Sequence, residues 1–539
     1  MARLRRDPRP GRALSRVAIY DTTLRDGQQR EGMSLTVGEQ VAIAVRLAEF
    51  GVDFVEAGFP SSNPKERELF GALEREDMRA TKVAAFGMTR RRDVSADQDA
   101  GLRELADAFV PVATVVGKTW DLHLEKVLKV DRAENLRIIE DSVAFLVAQG
   151  KEVIYDAEHF FDAFRAHPEY AIECLKAAQA GGAAWLVPCD TNGGTLPSQM
   201  SRIFAAVRAA LPGALIGIHT HNDAECGVAN SLAAVEEGAR MVQGTINGYG
   251  ERCGNANLVS IIPSLALKMG YQVLEPGRLA EITGLSHFVA ETANLPPDMW
   301  APYVGHNAFA HKGGMHTSAI LHDPATYEHV TPELVGNTRH VSVSELSGRG
   351  TIVTKAHEFG VDLSADQIAA ILDRLKDLEN NGYHFEVADG SFELMLERQI
   401  GTYEPLFELE SFRVITEKRA DGRVETEATI KLFHNGERIV ATAEGNGPVN
   451  AMDRALRMAL AARVPELDAI ELINFKVRIL DEAKGTSAVT RVLIDSSDHD
   501  DTWGTIGVSE NMIEASWQAL VDSLEHGVRR AAQARAKTA

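Results

Sequence analysis

The chain has 539 residues, enough for two or three domains of ~100–250 residues each. Hydrophobic residues make up 45% and charged residues 25%, the mix of a soluble globular protein. A net charge of −21 argues against nucleic acid or anionic membrane as a general partner, since both would repel it.

Cys174, Cys189, Cys226 and Cys253 are scattered, with no CxxC pair, so a disulfide framework is not expected and a reducing cytoplasm is the natural compartment. No apolar run approaches the ~20 residues of a membrane span. Residues 1–16 carry six arginines and no apolar stretch, and read as a disordered basic arm, not a secretory signal.

Between residues 17 and 270, short apolar runs alternate with stretches of helical period. The runs at 17–20, 53–57, 82–87, 108–114, 152–158, 185–190, 215–221 and 241–247 predict eight strands. Over residues 36–50, Val37, Val41, Val45 and Ala48 form one apolar stripe of a helix; over 133–149, Leu136, Ile139, Val143 and Leu146 do the same. Gly51, Gly150 and Gly213 stand where a helix C-terminus favours glycine. Eight βα units in this order and length predict an α/β fold, the TIM (β/α)8 barrel. The rival, a doubly wound open sheet, usually has fewer strands, and no GxGxxG follows the first strand here.

From 271 to 400 the alternation stops. Residues 279–285 and 366–379 read as helices, with loops at 295–302 and 311–318, the pattern of a helical linker region. From 401 an α+β domain is expected: strands at 407–416, 425–433 and 437–444 before a helix at 450–461, then strands at 470–480, 486–494 and 501–508 before a helix at 511–527. Two βββα units in tandem suggest an internal repeat. Gly445, Gly447 and Pro448 mark the first strand-to-helix turn, and Gly504 and Gly507 lie near the second.

Strand side chains alternate, so His219 and His221 on the seventh strand face one side, ~6.5–7 Å apart along it. They stand at the C-terminal rim, where a barrel carries its catalysis. Two imidazoles in register there point to a metal. The first βα loop supplies Asp26, a carboxylate ligand, and Arg25, a planar fork for a carboxylate or a developing oxyanion; otherwise the two form a surface ion pair. In Gly248-Tyr249-Gly250-Glu251-Arg252-Cys253-Gly254-Asn255, the glycines permit close backbone approach, and Asn255 can donate its amide oxygen to a metal or cap the next helix. Two imidazoles with oxygen ligands and no thiolate suit Mn, Mg, Zn or Co, with positions left for substrate. Glu158 ends the fifth strand, on the face of Ile154 and Asp156, where a general base would sit. Thr191, after the sixth strand, can offer its hydroxyl to a carboxylate. Lys118, Trp120 and His123, after the fourth, have no assigned role.

Together, the segments 21–27, 219–223 and 248–255 resemble the DRE-TIM metallolyases, and the resemblance extends over nearly the whole chain after residue 16. The βββα repeat resembles the regulatory domain of the isopropylmalate, citramalate and some homocitrate synthases. The stretches 117–123 and 153–160 look closest to the longer bacterial and archaeal citramalate synthases. The resemblance implies that Asp26, His219, His221 and Asn255 bind a divalent metal and Arg25 polarises the keto oxygen. It implies that Gln29 and Thr191 contact a 2-oxo acid and Glu158 takes part in deprotonating the methyl group of acetyl-CoA. It implies a homodimer in which His316 and Tyr327 act in the neighbouring subunit's site. The implied reaction is a Claisen-type condensation with pyruvate, for isoleucine synthesis, with isoleucine as the expected effector. The nearest rival substrate is 2-oxoisovalerate. Asp156 departs from the apolar or aromatic residue that many relatives carry there. Cys253 also fits a lyase of the hydroxymethylglutaryl-CoA type, but those lyases generally lack the C-terminal repeat. A non-catalytic sensor is disfavoured by the retained ligands, Arg25 and Glu158.

Overall fold

The computed structural model of the chain describes residues 15–60, 63–341, 343, 347–358, 360–480, 485, 487–498 and 501–538. Eight parallel strands close into a barrel: β1 (Ala18–Asp21), β2 (Phe54–Gly58), β3 (Lys82–Met88), β4 (Val112–Lys118), β5 (Glu152–Glu158), β6 (Trp185–Asp190), β7 (Gly217–Thr220) and β8 (Met241–Gly244). Closure runs through four β1–β8 pairs, from Ala18 opposite Met241 to Asp21 opposite Gly244.

Alternation along each strand builds two layers. Ile19, Val55, Val83, Ala113, Val153, Leu186, Ile218 and Val242 pack outward in the large core shared with the helices. Tyr20, Phe54, Ala84, Val112, Ile154, Val187 and Met241 pack together inside the barrel. Two residues further along the same inner faces stand Glu56, Phe86, Thr114, Asp156, Cys189, His219 and Gln243. The inward surface therefore turns from apolar to mainly polar toward the rim, which is where the site lies.

The helix Val37–Phe50 shows why these segments form. The Thr36 hydroxyl accepts from the Glu39 amide (3.3 Å), the Glu39 carboxylate accepts from the Thr36 amide (2.6 Å), and Gly51 ends the helix at φ 96°. Its buried face is Gln40, Ile43, Ala44, Leu47, Ala48 and Phe50; of the expected stripe, Ala48 lies on that face, while Val37, Val41 and Val45 flank it, half-buried. The fourth strand also differs from expectation. Pro111 has no amide hydrogen for the ladder, so pairing starts at Val112, opposite Ala84, and runs to Lys118. β7 and β8 end early, at Thr220 and Gly244; beyond them His221 and Thr245 bridge to Asn255 and Asn257 of the segment after β8, and Asn247 lies at φ 61°.

By packing, the chain divides into two units, Met1–Phe309 with Val330–Arg339, and Ala310–His329 with His340–Ala539. Residues 1–14 of the expected arm lie outside the described residues; Arg16 pairs with Asp53 at 2.6 Å. In the second unit, Gly314–His322 is a helix where a loop was expected; its Gly313-Gly314 start resembles loop sequence, but the residues that follow are compatible with a helix.

The repeat is present. Strands Glu408–Lys418, Val424–His434 and Glu437–Gly445 form one antiparallel sheet, followed by the helix Pro448–Leu460. Strands Glu471–Ile479, Thr490–Ser497 and Thr502–Ser509 form the other, followed by Met512–Thr538. The middle strands bury Ala428, Ile430 and Leu432, and Val492 and Ile494, against the helices. The last helix runs past Gly527, where it was expected to stop. That glycine is a packing position: a Cβ there would lie 2.7 Å from Trp503 Cζ2. Gly507 likewise serves close approach rather than a turn, since a Cβ would lie 1.9 Å from the Ala515 carbonyl oxygen. Gly507→Ala is expected to cost this unit about 1–3 kcal/mol, the scale of an overpacked core; thermal denaturation read by circular dichroism checks it, and an unchanged midpoint would contradict it. Among the described residues, no helix is long and apolar enough to cross a membrane.

Candidate active site

His219 lies within β7, and His221 just beyond it, bridged by backbone to Asn255. Their Nε2 atoms face each other at 3.3 Å. Asp26 Oδ2, from the loop after β1, lies 3.6 Å from the first and 3.9 Å from the second. All three residues are buried, with donor atoms within 4.8 Å of one another. Asp26 Oδ1 and Asn255 Oδ1 are buried without a hydrogen-bond partner among the described residues. Burial would raise the Asp26 carboxyl, but Arg25, His219 and His221 hold it at about 2. Burial, then His219, push His221 down to about 4; burial lowers His219 as well. These groups present lone pairs, not protons, at neutral pH. Unpartnered buried oxygens, a carboxylate and two neutral imidazoles fit a divalent cation.

A pH dependence follows. His221 must be unprotonated to ligate, and its value of about 4 keeps it so well below the ordinary ~6.5. Mn2+ affinity is therefore expected to persist to about pH 5 and to fall below it. Calorimetric titration across that range checks this; a fall that begins near ~6.5 would contradict it.

Arg25 is fixed on three sides. Its Nε donates to Glu56 Oε2 (2.6 Å), its Nη1 to Asp26 Oδ2 (3.0 Å), and its guanidinium lies 3.9 Å from the centre of the Phe86 ring. Burial opposes its charge, but Glu56 and Asp26 outweigh that and raise its pKa. Glu56 is itself held by the Tyr20 hydroxyl (2.7 Å) and the Thr22 hydroxyl. On β5, the Asp156 carboxyl is pushed well above its usual range by burial and then by Glu56. Glu158, half-buried at the end of that strand, pairs with Lys118 at the end of β4, its partner in register.

Thr191 Oγ1 accepts from the His159 amide (2.9 Å), which leaves the hydroxyl hydrogen for a ligand. Arg252 forks Asp223 at 2.7 and 3.0 Å and donates to the Thr191 carbonyl (2.8 Å), tying together the loops after β6, β7 and β8. The glycines beside Asn255 are required. A Cβ on Gly254, at φ 90°, would lie 2.0 Å from the Gly248 carbonyl oxygen, and one on Gly250 2.3 Å from Asn255 Nδ2.

Arg25, Asp26, Gln29, Asp156, Glu158, Thr191, His219 and His221 line one cavity of about 270 Å3. Phe86, Met88, Val116 and Lys118 are shared with a larger one of about 790 Å3, which Arg91, Arg92 and Lys129 also line. Cys253 is exposed and does not line the smaller cavity. His316 and Tyr327 belong to the second unit, where their rings stack with centroids 4.2 Å apart. Sequence reasoning missed Glu56 and Gln243. The signal was available: each is a polar residue inside a strand otherwise made of apolar or small residues, in phase with the inward positions.

A closed (β/α)8 barrel with a carboxylate and two imidazoles gathered at its rim defines a class, the barrel enzymes able to carry a divalent metal. Residues 16–289 match the HMGL-like family, 303–383 the homocitrate synthase post-HMGL domain-like family, and 386–528 the LeuA allosteric (dimerisation) domain. The chain is 50% identical over 520 residues to the (R)-citramalate synthase of Geobacter sulfurreducens, covering 96% of this chain and 98% of that protein. It is 49% identical to the (R)-citramalate synthase of Synechocystis, covering 95% and 96%. It is 35% identical to a probable 2-isopropylmalate synthase of Methanopyrus kandleri, covering 96% and 99%. The chain belongs to the HMGL-like family, in its citramalate synthase branch.

Proposed function

We propose that this enzyme condenses acetyl-CoA with pyruvate and hydrolyses the thioester, releasing (R)-citramalate and CoA for isoleucine synthesis. The observation that carries this reading is near-full-length identity of 50% to a citramalate synthase, against 35% to an isopropylmalate synthase.

Asp26, His219, His221 and Asn255 would hold the cation, which when bound supplies Lewis-acid polarisation of the keto acid. Thr191 and Gln29 orient the pyruvate carboxylate. Arg25, immobilised by Glu56 and Phe86, presents its fork where negative charge develops on the keto oxygen. Glu158 takes a proton from the acetyl methyl group, with Lys118 holding the carboxylate in place. The resulting enolate carbon bonds to the carbonyl carbon of pyruvate, whose oxygen then takes up a proton. Water replaces the thiolate of CoA at the acyl carbon. The larger cavity suits CoA: Arg91, Arg92 and Lys129 match its phosphates, and Phe86, Met88 and Val116 line the way to the smaller one.

The match to a dimerisation domain supports a homodimer; His316 and Tyr327, which lie outside that match, are proposed to serve the neighbouring subunit's site. The same domain is the seat proposed for feedback by isoleucine. Four free cysteines support a reducing cytoplasm.

Release of CoA from acetyl-CoA, read with a thiol reagent in the presence of Mn2+ or Mg2+, tests the reaction. Release that requires pyruvate is expected. Preference for 2-oxoisovalerate would move the chain to the leucine route, and no release with pyruvate, 2-oxoisovalerate or 2-oxoglutarate would overturn the reading. Isoleucine is expected to slow the same assay; a rate indifferent to isoleucine and leucine would remove the effector.

A further inference from the structure

Gln243 stands opposite His219 in the β7–β8 register and is fully buried. Its Oε1 lies 2.9 Å from His219 Nδ1, and its Nε2 donates to Asp156 Oδ1 at 2.9 Å. Three strands, β5, β8 and β7, thus contribute one residue each to a buried chain of hydrogen bonds. The polarity of that chain carries information. A primary amide accepts only through oxygen and donates only through nitrogen. Gln243 Nε2 donates to Asp156 Oδ1, an oxygen that accepts whether or not the carboxyl carries a proton on Oδ2, so the NH2 group faces β5 and the amide oxygen faces His219. An oxygen facing Nδ1 requires the hydrogen on Nδ1. The lone pair of His219 is then on Nε2, the atom turned toward His221 and Asp26.

We propose that Gln243 and Asp156 are positioning residues that set the tautomer and ring orientation of His219 for metal binding. This rests on the reading that His219 is a ligand of a divalent cation. Asp156 has a further consequence, because it also lines the cavity proposed for the keto acid. One side chain therefore faces the substrate and, through Gln243, the metal ligand.

The test is Mn2+ binding by the full-length protein, read by electron paramagnetic resonance, which needs no turnover. Gln243→Met keeps the volume but removes both hydrogen bonds, and is expected to weaken binding about 10–100-fold. Gln243→Glu keeps an acceptor facing Nδ1, with one proton shared between its other oxygen and the Asp156 carboxyl, and is expected to stay within about threefold of the unaltered protein, a rescue that packing alone would not produce. Asp156→Leu keeps the branched shape but removes the acceptor that orients Gln243, and is expected to weaken binding by a smaller factor. It also serves as the second variant should Gln243→Met not fold. Tight binding by Gln243→Met, or equal losses in the Met and Glu variants, would overturn the proposal, as would unchanged binding by Asp156→Leu. Mn2+ binding by the unaltered protein keeps those failures separate from failure of the metal reading; its absence would overturn both.

Discussion

His219→Ala is expected to lose the metal and turnover together. The substitution removes one of two imidazoles whose Nε2 atoms are 3.3 Å apart, and with it one of the four proposed ligands, the others being His221, Asp26 and Asn255. Losing a ligand outright should cost more than the 10–100-fold of a supporting residue, so metal content after dialysis should fall to background. Several kcal/mol of charge stabilisation in the condensation go with it, about a thousandfold or more in rate. The variant also strands Gln243 Oε1 in the barrel interior, where an unpaired acceptor costs about 1–3 kcal/mol, so a modest fall in melting temperature should accompany the loss. Elemental analysis, CoA release and thermal denaturation on one preparation read all three. A metal-loaded, fully active alanine variant would eliminate this site.

Glu158→Gln is the complementary case: metal retained, turnover lost. The side chain is isosteric and stands at the end of β5, while the proposed ligands come from the loop after β1, from β7 and its end, and from the loop after β8. Its amide cannot accept the methyl proton, and a positioned base contributes typically ~10²–10⁴-fold. Lys118 loses its ionic partner in the same change. Unchanged Mn2+ binding with kcat reduced by about two orders of magnitude or more is the expected pair of results. Full turnover would show that another group is the base.

Much of this was determined by short stretches of sequence, because the relevant physics is local. Strand and helix periods repeat every two and 3.6 residues, so the eight strands and the tandem βββα units could be read along the chain. His219 and His221 share a strand face for the same reason. Where local pattern and packing competed, packing decided. The first barrel helix turned its Gln40–Ile43–Leu47 face inward, and Gly527 became a contact instead of a stop; the later start of β4 has a local cause, the missing amide hydrogen of Pro111. Only the closed barrel could bring Glu56 on β2 to Arg25, or link Asp156, Gln243 and His219 from β5, β8 and β7. Those bonds join residues far apart in sequence, and their lengths follow from strand register and closure, which no local period contains. The sequence by itself determined which residues could bind and react; the tertiary structure decided how each is held, because a buried polar group must find its partner across the fold.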